Sequence, residues 1–222
     1  MLYGLALAST FVISLSVSFL ISRFMTSSLL DVPVARSAHR VPTPRGGGVA
    51  IVISLLLFMG LLVLEGTLSR GMLAVLLCAL PVAITGFIDD FKGLPVSIRL
   101  PIHLISAFVA LWLLGPVPEP FFSGWLLIPA FLQSVILALA LVWLLNLYNF
   151  MDGIDSMAAA QTLFVSGAAS LMLFSQQTDL AWVCVGLFVS SLGFLCLNLP
   201  PARLFMGDVG STFIGFFLGL IA

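Results

Sequence analysis

The chain has 222 residues, 61% of them hydrophobic and only 8% charged, with a net charge of −1. Soluble domains carry about 25% charged and about 45–50% apolar residues, so a mean hydropathy of +1.25 excludes a soluble globular domain. Eight basic side chains against nine acidic ones exclude the broad basic footprint of a nucleic-acid binder and the charge of a disordered chain.

A bilayer core about 30 Å thick takes about 20 apolar residues per helix. In chain order, apolar runs fall at Leu2–Ile21, Val49–Leu64, Gly71–Ile88, Ile98–Leu114, Leu126–Leu147, Met157–Phe174, Leu180–Leu197 and Ser211–Ala222. None has the period-two alternation of a membrane barrel strand. The expected fold is therefore all-α, a polytopic transmembrane helical bundle of seven complete spans plus a truncated eighth, in one membrane domain over 1–222. The first run lacks the basic n-region of a cleaved signal peptide and is long enough to span. The last run would rise about 18 Å as a helix, short of a crossing. It reads as a re-entrant helix or, preferably, as a span cut short in an N-terminal piece of a longer protein. Cys78, Cys184 and Cys196 lie inside apolar runs without CxxC spacing and read as small buried hydrophobes.

With the gaps between runs numbered in order, the odd ones hold Arg23, Arg36, Arg40, Arg45, Lys92 and Arg203, with Arg99 bordering the third, and the even ones hold only Arg70. The positive-inside rule places the odd loops in the cytoplasm and the N-terminus outside. Six of the nine acidic residues fall on the same side: Asp31, Asp89, Asp90, Asp152, Asp155 and Asp208. The rule does not call for acids there, and carboxylates that interrupt apolar stretches of a membrane protein are usually functional. Asp89 and Asp90 are adjacent, so at a helix end they diverge: one can face a substrate while the other holds a neighbour. Asp152 and Asp155, three apart, would share a face if one helix included both.

Carboxylates from several loops without a Cys or His cluster suit a hard cation such as Mg²⁺, which prefers one or two carboxylates plus substrate phosphates. Arg36, Arg40, Arg45, Arg99 and Arg203 on the same side suit phosphate oxygens. Together they read as a phosphoryl-transfer site at the membrane surface. Gly46-Gly47-Gly48 and Gly207-Asp208-Val209-Gly210-Ser211 each open a helix, where backbone N–H groups can meet an anion; taken alone, each is better read as a plain turn. His39 draws interest only from the arginines around it, and His103 reads as a packed helix residue.

Five segments taken together carry a resemblance: Asp31-Val-Pro-Val-Ala-Arg-Ser-Ala-His-Arg-Val-Pro-Thr-Pro-Arg-Gly-Gly-Gly48, Gly86-Phe-Ile-Asp-Asp90, Asn146-Leu-Tyr-Asn-Phe-Met-Asp-Gly-Ile-Asp155, Asn198-Leu-Pro-Pro-Ala-Arg203 and Phe205-Met-Gly-Asp-Val-Gly-Ser211. The chain resembles the polyprenyl-phosphate N-acetylhexosamine-1-phosphate transferases, glycosyltransferase family 4. The resemblance implies transfer of a sugar-1-phosphate from a UDP-N-acetylhexosamine to undecaprenyl phosphate, with UMP released and Mg²⁺ required, at the cytoplasmic face of the bacterial inner membrane. It also leaves room for a homodimer. Thr43-Pro-Arg-Gly-Gly-Gly48 is more similar to the branch that initiates O-antigen, common antigen or teichoic-acid linkage than to the MurNAc-pentapeptide branch, which usually has Thr-Pro-Thr-Met-Gly-Gly.

By the resemblance, Asp89 and Asp90 activate the lipid phosphate. Asn146, Asn149, Asp152 and Asp155 bind the nucleotide, with Asp152 near its metal. Asp208 is a magnesium ligand, and Arg99 matches the basic position after the aspartate pair. Arg45, His39 and Arg203 complete the expected substrate contacts. Ser156 stands where the family usually has glycine, which should cost little because serine suits a helix first turn. The family's histidine-rich cytoplasmic loop, which helps choose the sugar, lies beyond this sequence. A transporter would need its carboxylates near mid-span in paired halves. It stays as one alternative reading, and a non-catalytic remnant of the family as another.

Overall fold

The computed structural model describes residues 2–24, 30–31, 42–115 and 129–222. These form α1 (Leu2–Phe24), β1 (Leu30–Asp31), β2 (Thr43–Pro44), α2 (Gly48–Leu64), α3 (Arg70–Leu77), α4 (Leu80–Lys92), α5 (Val96–Leu114), α6 (Ala130–Met151), α7 (Met157–Leu173), α8 (Thr178–Asn198) and α9 (Asp208–Ile221). Within the described residues each apolar run is helical, and the fold they show is an all-α bundle with one two-residue antiparallel ribbon, Leu30 opposite Pro44 and Asp31 opposite Thr43.

Among the described residues, five stretches are long and apolar enough to cross a bilayer: Leu2–Phe24, Arg70–Lys92, Val96–Leu114, Phe131–Met151 and Thr178–Asn198. Gly48–Leu64, Met157–Leu173 and Asp208–Ile221 are apolar but shorter. The run expected at Gly71–Ile88 is broken at Cys78–Ala79 and restarts as α4, with Pro81 in its first turn. Proline lacks the N–H that a continuous helix would need there. The restarted helix carries on past Ile88 to Lys92, so Asp89 and Asp90 belong to its last turn.

α9 is the centre of the bundle. It packs against α4, α6 and α2, and every residue from Val209 to Leu218 is buried. A helix apolar all round has to be enclosed on all sides. Small residues permit this. A Cβ on Gly215 would stand 2.7 Å from Leu145 Cα, and one on Gly219 would stand 2.6 Å from Leu141 Cδ2, so two glycines four apart seat α9 on α6. A Cβ on Gly48 would stand 2.2 Å from Gly210 Cα, where α2 crosses α9. The second half of the bundle is α8 packed against α7, α1 and α2. Gly186 lies against Phe58 and Gly193 against Phe11 and Ser14.

The α1–α2, α4–α5, α6–α7 and α8–α9 connections all meet at one end. Phe205 N donates to Pro44 O at 2.8 Å, Gly47 N to Phe205 O at 2.9 Å and Gly48 N to Met206 O at 2.8 Å. At the other end, Tyr3 hydrogen-bonds Thr67 Oγ1 at 2.7 Å and stacks on Trp182.

Gly215→Ala should lower the thermal unfolding temperature in detergent by an amount matching about 1–3 kcal/mol of overpacking. Gly60→Ala, in α2 with open space around the position, should leave it unchanged or raised.

Candidate functional site

The site is built around the start of α9. Gly207 has φ +75 with an extended ψ, a backbone conformation that glycine adopts without the steric cost a side chain would bring. The first N–H groups of a helix have no partner inside it. Here carboxylates from other elements take them. Asp90 on α4 accepts from Asp208 N at 3.0 Å and Val209 N at 3.2 Å, and Asp152 at the end of α6 accepts from Gly207 N at 3.0 Å. The positive end of the helix dipole favours this arrangement. Two glycines make the approach possible. A Cβ on Gly207 would meet Asp90 Oδ2 at 2.6 Å, and one on Gly86 would meet Asp208 O at 2.5 Å.

The Asp208 side chain is held from both sides. Asn149 Nδ2 donates to its Oδ1 at 2.7 Å and Arg99 Nη1 to its Oδ2 at 3.1 Å. Asn149 also reaches Ser211 Oγ at 3.2 Å. The same Arg99 nitrogen pairs with Asp89, whose other oxygen accepts from Leu94 N. The aspartate pair does diverge: Asp89 faces the guanidinium and Asp90 holds the α9 terminus.

Asp152 and Asp155 do not share a helical face. α6 ends with Asp152 as its cap, α7 begins only at Met157, and the condition for a shared face is not met. Both instead reach the last connection, Asp155 accepting from Ala202 N at 3.0 Å. Desolvation pushes the Asp152 carboxyl well above the usual carboxylate range, and the nearby charges of Asp208 and Asp90 add to this; the Gly207 N–H and Arg45 pull the other way. Ser156 is the N-cap of α7 with φ +66, so it occupies a glycine-type conformation and not the first turn. Two bonds hold it there: its N–H to Asn198 Oδ1 at 3.1 Å and its Oγ to Asn198 O at 3.2 Å. Asn198 in turn donates to Leu204 O at 2.9 Å.

Arg45 pairs with Asp31 across the ribbon at 2.7 Å. Arg203 is exposed and makes no ion pair among the described residues. Asn146 is exposed, and its amide turns back to Val142 O at 2.6 Å, away from the cluster. His103 is buried within α5. His39, with Arg36 and Arg40, lies outside the described residues. The N–H groups of Gly47 and Gly48 are taken by Phe205 O and Met206 O, so this glycine run is a packing turn and not an anion cradle. Sequence reasoning did not single out Asn198 or Ser211 as site residues; the signal for Asn198 was an amide closing an apolar run just before Leu199-Pro200-Pro201.

Asp89, Asp90, Asp152 and Asp208 gather on one helix terminus with Arg99 between two of them. Such hard oxygen donors, with less positive charge than negative, fit a hard cation. Among the described residues no three His, Cys, Asp or Glu side chains form a preassembled cage. Mg²⁺ does not need one, because it binds through one or two carboxylates and fills its shell with water and substrate phosphate.

Residues 72–222 match the family described as Glycosyl transferase family 4. The chain is 31% identical to a phospho-N-acetylmuramoyl-pentapeptide-transferase of Wolbachia pipientis wMel, over 80% of this chain and 58% of that protein. It is 30% identical to the protein of the same name from Streptococcus suis (strain 05ZYH33), over 98% of this chain and 72% of that one. A probable undecaprenyl-phosphate N-acetylglucosaminyl 1-phosphate transferase of Bacillus subtilis (strain 168) is 29% identical, over 87% of this chain and 54% of that protein. The chain thus spans little more than half the length of two of these three relatives, and they fall in both branches that the first motif was read to separate.

Asp90→Asn keeps one acceptor and sets an NH₂ against an N–H, so it should cost about 1–3 kcal/mol of stability in detergent unfolding. Ser156→Ala loses the Oγ bond while keeping the positive φ, and should cost about 1 kcal/mol. Ser156→Gly relieves the backbone and should unfold at a higher temperature than Ser156→Ala.

Proposed function

The chain belongs to glycosyl transferase family 4, and on that footing we propose that it is the membrane core of an enzyme that moves a sugar-1-phosphate from a UDP-N-acetylhexosamine to undecaprenyl phosphate. The observation that carries the reading is Asp208, partly exposed at the start of the central helix and clasped by Arg99 and Asn149, with Asp89, Asp90 and Asp152 around it. All of these sit at one end of the bundle, whereas a transport pathway would want its carboxylates in mid-membrane. We place that end at the cytoplasmic face of the bacterial inner membrane, with the N-terminus outside, on the arginine count. Arg45-Gly46, where the MurNAc-pentapeptide branch usually has Thr-Met, is our reason for keeping the O-antigen-type branch as the specific proposal.

In the reaction a phosphate oxygen of the lipid attacks the β-phosphorus, the bond from that phosphorus to the α-phosphate oxygen breaks, and UMP leaves. A phosphate monoester has a second pKa of about 6, so most of the lipid arrives already as the dianion. Asp89 accepts the remaining proton where one is present. Arg99 holds Asp89 and Asp208 in the resting site and offers its free guanidinium N–H groups to phosphate oxygens, a fork suited to them. Asp208 and Asp152 would hold Mg²⁺, which supplies charge neutralisation at the diphosphate. Asn149 fixes the Asp208 carboxylate, and Asp90 fixes the backbone that carries it. Catalysis of this kind is positioning plus electrostatics.

The test is UMP release in detergent with undecaprenyl phosphate, Mg²⁺ and a panel of UDP-N-acetylhexosamines, on the longest natural protein that contains this sequence. Release should require lipid, sugar nucleotide and metal together, and Asp208→Asn should lower it about 10²-fold or more. A phosphosugar adduct trapped on Asp89 would overturn direct attack. No release with any sugar from folded protein would overturn the proposal.

A further inference from the structure

At the end of the bundle opposite the carboxylates, α1 and α2 leave a cavity of about 290 Å³ between them. Its walls are apolar, including Ala6, Phe58, Leu61 and Leu62, and Glu65 stands at its rim. The volume is at the bottom of the range of about 300–1,000 Å³ usual for small-molecule pockets, enough for a stretch of hydrocarbon chain. Leu5 is 62% and Leu61 42% exposed, so the cavity opens sideways, toward what would be lipid in a bilayer. Its wall at Tyr3 is held in place by the Thr67 hydrogen bond and the 4.5 Å stack on Trp182. Tyrosine and tryptophan concentrate at the headgroup level of membranes, which sets the rim at the interface and the apolar part below it.

Glu65 is the unexplained group. It is the C-cap of α2, where the helix dipole is negative and a carboxylate is disfavoured. It is exposed and forms no ion pair among the described residues. Arg70, five residues on and at the other end of the same turn, is likewise exposed and forms none among them. A carboxylate at an apolar cleft, with a guanidinium close by in the chain, is the complement of a zwitterionic headgroup.

We propose that this cleft is a binding site for a phospholipid with a primary ammonium headgroup, its acyl chain between α1 and α2 and its ammonium on Glu65. A primary ammonium donates charge-assisted hydrogen bonds to a carboxylate and a quaternary one cannot, so the site selects phosphatidylethanolamine over phosphatidylcholine. The lipid would also stabilise the α1–α2 pair, because a ligand that binds only the folded state raises its stability.

Native mass spectrometry of the detergent-purified chain with each lipid added in turn tests this. Phosphatidylethanolamine should leave a bound adduct retained at least about fivefold more than phosphatidylcholine or phosphatidylglycerol. Glu65→Gln, an exposed position that should fold normally, should remove that preference while weak chain binding persists. Ala6→Phe fills the cleft and should remove the adduct for every headgroup. Equal retention of the three lipids, a preference unchanged in Glu65→Gln, or an adduct undiminished in a folded Ala6→Phe would each overturn the proposal. None of these readouts depends on the transferase reaction.

Discussion

The start of α9 is the constraint on which this structure depends. A helix that begins at a buried glycine within a packed bundle has first-turn N–H groups with no partner inside the helix, and each would cost free energy if left unpaired. The protein answers with carboxylates, because an anion gains both the hydrogen bonds and the helix dipole. Asp90 and Asp152 are therefore fixed by backbone donors before any substrate is considered. That in turn fixes Gly207 and Gly86, since a side chain at either would push α4 away from α9.

Once two carboxylates have been drawn to this terminus, Asp208 is added to a region already negative. Its own first-turn position keeps it there, and Arg99 and Asn149 each take one of its oxygens. Arg99 divides one nitrogen between Asp89 and Asp208, so neither carboxylate is fully neutralised. The arrangement is under electrostatic tension by construction. A cation placed among these carboxylates would relieve it, which is the electrostatic ground for the Mg²⁺ proposed at this site.

The sequence revealed the fold more completely than the site. Within the described residues all eight apolar runs are helical, one of them in two pieces, because in a membrane the segment itself has to satisfy its own backbone and the apolar pattern reports that directly. Hydropathy alone does not reveal the break at Cys78–Ala79; Pro81 marks it, through the N–H that proline lacks. In the site, the divergence of Asp89 and Asp90 followed from their adjacency alone. The partners of Asp152, Asp155 and Ser156 could not be read, since each reaches a segment about 40 to 55 residues away in the chain. Spacing within a motif says which residues share a face, but not which distant backbone they meet. Asn146 makes the same point from the other side: it lies three residues before Asn149, yet its amide closes on its own helix.

Ser156 is the sharpest case of a local rule overridden by a tertiary one. A non-glycine residue with positive φ is unfavourable by about 1–2 kcal/mol, and a serine N-cap normally sits in extended backbone with its hydroxyl on the helix. Here it does neither. Its N–H and hydroxyl both go to Asn198, a buried residue whose own amide ties down Leu204. The strain at Ser156 is thereby coupled to the segment that leads into Gly207. The geometry of the Asp155 turn and that of the α9 start are parts of one hydrogen-bonded unit, so a change at Ser156 should be felt at Asp208 even though the two side chains do not touch.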